Sequence, residues 1–131
     1  MSVLGGTNFK LRSSTNNDPY ASFEITAGTA YTAGQMLLYE DTVCVVVNTI
    51  ASGYQVVFVY WAAKIVVPCA IVTSGNLADY NEGCKVYFDA ADAEVNTTAA
   101  GNTLCGIVTS QPSAGDETVE IHLIGTLGIV A

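Results

Sequence analysis

Three carboxylates, Asp89, Asp92 and Glu94, fall within six residues of one another directly after the apolar run "CKVYF". Residues of this type at this density suit a calcium loop, a catalytic acid/base pair, or a solvated turn. A calcium loop needs six to eight oxygen ligands and a glycine for its sharp bend. Here alanines separate the acids, and no glycine lies among them. A glycosidase-type pair needs neighbours that move one pKa away from the other, and nothing aromatic or basic clusters beside these acids. The stretch therefore reads as a polar tip joining the strand "CKVYF" to the following segment. His122 is the only histidine, so a zinc site or a His-activated nucleophile would rest on it alone. Cys44, Cys69, Cys84 and Cys105 form no C-x-x-C pair and have no histidine nearby. They read as reduced, mostly buried thiols packing as small hydrophobes. No phosphate-cradling glycine motif is present. The residues thus signal no catalytic set, no metal and no cofactor.

The elements holding these residues are strands. From Ala21 onward short apolar runs alternate with turn residues: "SFEIT", "MLLYE", "VCVVVNT", "YQVVFVYW", "KIVVPCAIV", "CKVYFDA", "LCGIVTS" and "TVEIHLIG". Short strands with Gly-rich punctuation indicate an all-β barrel or sandwich. In the last run Val119, Ile121 and Leu123 point one way and Thr118, Glu120 and His122 the other, the alternation of a half-buried strand. "VVFVYW" reads as a central strand buried on both faces. Helical periodicity is nearly absent, and only "GNLADYNEG" suits a single turn. Gly34, Gly53 and Gly83 each precede an apolar run where a turn calls for positive φ.

At 131 residues the chain is one domain. Residues 1–20, rich in Ser, Asn, Thr and Gly, read as a flexible N-terminal arm, and residues 21–131 as the β domain. Half the residues are hydrophobic and only 12% are charged, a surface poor enough in charge to imply that a partner covers part of it. The net charge of -8 repels phosphate backbones and argues against nucleic acid. Lys64 and Pro68 interrupt the apolar stretch 56–72, so it is not read as a membrane span. The N-terminal residues lack the pattern of a secretion signal.

Taken in order, "TAGTAYTAGQMLL", "VVVNTIASGYQVVFVYWAAKIVVP" and "NEGCKVYFDAADAEVNTTAAGNTLCGIVTSQPSAGDETVEIHLIG" resemble the tailed-phage capsid decoration, or cement, proteins. The resemblance covers roughly Phe23 to Gly125. It implies a small β-barrel or sandwich, β-tulip-like, while the extended Asn/Ser-rich arm and the cysteines depart from the family outline. It also implies a homotrimer on the outer surface of an icosahedral head, bound to the major capsid protein and made in the host cytoplasm. On that reading Phe9, Lys10, Leu11 and Arg12 of the arm are candidate capsid contacts. The apolar terminal residues Ile124, Leu127 and Ile129 are candidates for the oligomer interface. The alternatives are a structural β domain of a head fibre or tail, and a small β-domain enzyme with its acids around Asp89.

Overall fold

The computed structural model describes residues 19–128. Eight strands, β1 (Tyr20–Thr26), β2 (Met36–Tyr39), β3 (Thr42–Val46), β4 (Gln55–Pro68), β5 (Lys85–Asp89), β6 (Glu94–Asn96), β7 (Thr103–Ser110) and β8 (Thr118–Ile124), join in one antiparallel sheet. A 3-10 turn over Leu77–Tyr80 is the helical element among the described residues, where a single turn is expected. Gly34, Gly53 and Gly83 have φ of 88°, 96° and 90°, as their positions before the apolar runs require. Of the expected arm only Pro19 and Tyr20 are described, and Tyr20 already pairs with Ala62 in β1.

β4 organises everything else. The two apolar runs around it form one strand of 14 residues, rich in Val and Ile, whose branched Cβ atoms suit a pleated surface. It ends at Pro68, which has no N–H to donate to a ladder. Its first half pairs with β1 along one edge and with β3 along the other. Its second half pairs with β8, and the order then runs β8, β7, β5, β6. β6 returns to the chain just past β4: Cys69 and Val95 form a parallel bridge, and the Ala70 N–H donates to the Val95 carbonyl at 2.9 Å. The path from β4 through β8, β7, β5 and β6 is thereby nearly closed into a barrel, while β1, β2 and β3 extend it as a curled flap. The ladder irregularity between Ala62 and Ile65 lies where β4 passes from one set of partners to the other.

The barrel interior is aliphatic. Val57, Val59, Ala62, Ile65 and Val67 of β4 meet Val119, Ile121 and Leu123 of β8, Val108 of β7, and Val86 and Phe88 of β5. Each such side chain contributes about 1.5–3 kcal/mol when fully buried. The opposite face of the flap forms a second core, in which Val56, Phe58, Cys44 and Val46 are buried beneath Phe23, Tyr31, Tyr39 and Tyr60. The stretch of β4 from Val56 to Val59 is therefore buried on both sides, as its apolar run implies. No helix among the described residues is long and apolar enough to cross a membrane.

Candidate interaction surfaces

The acidic stretch closes the β5–β6 hairpin. Asp89 and Glu94 are its last paired residues, and residues 90–93 turn between them. The Asp89 Oδ1 accepts the Ala91 N–H at 3.0 Å and its Oδ2 the Asn96 side-chain amide at 3.5 Å. Ala93 completes the turn with φ of 55°. Burial raises the pKa of Glu94, and Asp92, Asp89 and Glu117 raise it further. The same acids bear on the barrel wall. Burial, then Glu94, Asp116 and Glu117, push the Cys69 thiol up to about 11. Asp89 thus holds the turn, and among the described residues no group of His, Cys, Asp and Glu is arranged to hold a metal ion.

A second polar device fastens the 3-10 turn. The Glu82 carboxylate accepts the Gln111 N–H at 2.9 Å, which lowers its pKa. The Gln111 side-chain amide donates to the Leu77 carbonyl at 3.2 Å and to the Asn81 side-chain oxygen. The segment before β5 is in this way tied to the end of β7.

The thiols are core atoms. Cys44, Cys69 and Cys105 are buried and Cys84 is half-buried, all four unbridged. Burial pushes Cys44 and Cys105 up to about 12, far from the range of a nucleophilic thiolate.

His122 stands on the outward side of β8, where the alternation of that strand places it. Its ring meets the Trp61 ring edge to face, with centroids 5.2 Å apart. Ile124 projects from the same side of β8 opposite Trp61 and is half-buried. Leu127 lies in the turn that follows and is 43% exposed; its N–H donates to the Ile124 carbonyl at 3.1 Å. Beyond it Gly128 runs against Thr103, so close that a Cβ there would come 2.4 Å from the Thr103 Cγ2. Of the three apolar candidates near the C-terminus, Ile124 and Leu127 are thus neighbours on the barrel exterior, and Ile129 lies outside the described residues. Phe9, Lys10, Leu11 and Arg12 also lie outside them.

Sequence reasoning did not single out Trp61 and Ile107 as surface residues, although both are placed by strands it identified. Ile107 is 40% exposed and pairs with His122 across the β7–β8 ladder. Ile107 was not legible because its place opposite the outward-pointing His122 is set by the β7–β8 register. Trp61 was obscured because the β1–β4 irregularity at Tyr60, between Val59 and Trp61, breaks the alternation of β4.

The model of the phage cement protein family matches residues 16–123. No curated protein and no solved structure matches the chain.

Proposed function

The chain belongs to the phage cement protein family, a structural family of capsid-stabilising proteins, and from that membership we propose that it binds the outer surface of an icosahedral phage head. There it holds neighbouring major capsid protein subunits together, as a homotrimer. The observation that carries this reading is the family match itself, which spans both halves of the sheet from β1 nearly to the end of β8. The physical character of the domain supports it. The barrel is packed with aliphatic side chains, and the acids that suit chemistry by type are used to close a hairpin. Such a domain resists deformation and presents side chains from fixed positions, as a bridging protein must.

In this reading the arm, through Phe9, Lys10, Leu11 and Arg12, makes the capsid contact. A polar segment with an apolar pair orders on a sheet edge through backbone hydrogen bonds, and its two cations meet acidic groups on the shell. Affinity depends on many copies bound to a repeating lattice. Ile124, Leu127 and Ile129 belong to the contact between copies.

The test uses heads that lack this protein. Added full-length chain is expected to bind them and to raise the temperature at which they release DNA. Deleting residues 1–18 is expected to abolish binding while leaving the free oligomer intact. Heads that gain neither bound protein nor heat resistance would overturn the reading. An arm deletion that binds as well as the full chain would overturn the role of the arm.

A further inference from the structure

The outer face of β4, β8, β7 and β5 carries a continuous stripe across four strands. Trp61 touches His122, His122 stands opposite Ile107, and Ile107 stands opposite Lys85. Ile124 adds to its apolar centre beside Trp61. Charge is distributed unevenly around this stripe. Lys64 and Lys85 are the only cationic side chains among the described residues, and both are exposed. Lys64 projects outward between the inward-facing Ala62 and Ile65. Lys85 ends the stripe. On the same face Glu120 and Asp89 offset them, and Glu94 stands opposite Asp89 at the β6 edge. The remaining eight acids of the described residues lie on β1, in the 3-10 turn and in the loops at strand ends.

A chain of net charge -8 repels its own copies over most of its surface, because like charges brought together across an interface are costly. Two copies meet with least repulsion where charge is balanced, and they gain most where that area has an apolar centre. On this face charge is close to balanced and the centre is apolar. We propose that the β4–β8–β7–β5 face, centred on Trp61, Ile107 and His122, is the surface through which one copy of the chain packs against another. The proposal rests on the reading of the protein as a self-associating cement subunit. It gives Ile124 its place at the margin of a larger contact.

Sedimentation velocity on the full chain tests it, with thermal melts to establish that each variant is folded. Ile107→Glu, which puts a carboxylate at the centre of the stripe, is expected to weaken self-association at least about tenfold. Lys85→Glu is expected to weaken it by a smaller factor that shrinks at high salt. Ile71→Glu is the control, since Ile71 is 54% exposed in the loop after β4, and it is expected to associate as the unmodified chain does. Should Ile107→Glu not fold, the exposed change Lys85→Glu carries the test. If the stripe variants associate like the unmodified chain, or the control dissociates as they do, the face is wrong while the oligomer stands. An unmodified chain that sediments as a monomer at every concentration overturns the oligomer and this face together, and capsid binding is then read separately.

Discussion

Asp89 and Glu94 stand directly opposite each other at the closing pair of the β5–β6 hairpin, two carboxylates on one step of the ladder. Asp89 uses both oxygens to hold the turn, while Glu94 has its pKa raised by burial and by its acidic neighbours. A carboxyl whose pKa is higher folded than unfolded binds its proton more tightly in the native state. The stability linked to it is present at low pH and is lost as pH rises through the folded value. Glu94→Gln is therefore expected to raise stability at pH 7 by about 0.2–0.5 kcal/mol, the scale of an exposed cross-strand pair, and to leave it unchanged at pH 4. Melting curves of both chains across that range check this, and a less stable variant at pH 7 would sink it.

Phe58 is fully buried at the base of the second core. Its ring meets those of Tyr31 and Phe23 edge to face at 5.3 and 5.8 Å, and that of Tyr39 at 5.3 Å. Phe58→Ala is expected to cost about 3–5 kcal/mol. Tyr54→Ser, at a residue 68% exposed, is expected to cost less than about 0.5 kcal/mol. Urea titrations of the two variants separate these outcomes. Similar losses in both would mean that the aromatic face is not a core.

Thiol labelling at pH 8 is expected to modify Cys84 first. Cys44, Cys69 and Cys105 should react only as the chain unfolds, since burial both hides them and disfavours their thiolates. Fast reaction of more than one thiol in the native protein would contradict the packing described for both cores.

Gly125 sits between β3 and β4, donating its N–H to the Tyr60 carbonyl at 2.7 Å and accepting the Val43 N–H at 2.9 Å. A Cβ there would lie 2.0 Å from the Val43 oxygen and 2.8 Å from that of Tyr60. Gly125→Ala is expected to cost more than about 3 kcal/mol, because backbone on both sides must move. Gly53→Ala meets open space and strains only its own φ of 96°, at about 1 kcal/mol. Equal melting temperatures for the two would refute the distinction.

Those glycines also mark how far the sequence is readable. Gly53 follows Ser52 before an apolar run, a local turn signal, and its positive φ was legible. Gly125 and Gly106 are glycines because another strand's backbone passes within van der Waals distance, a condition set by residues far along the chain. The strands themselves were readable from Val-rich runs and from the alternation in β8. The unity of β4 was not, since Lys64 looks like an interruption until its outward orientation is known. β6 was missed because Glu94–Asn96 is three residues long and held by its partners more than by its own composition. At the surface, the turn role of Asp89 followed from residue type alone. The stripe through Trp61 and Ile107 needed the register of three ladders.

Because β4 runs unbroken from the flap into the barrel, the two cores are joined by covalent bonds along a single backbone. Tension applied to either half passes down that strand and loads the β1 and β3 ladders of the flap together with the β8 ladder of the barrel. The two halves should consequently yield in one event under a pulling force.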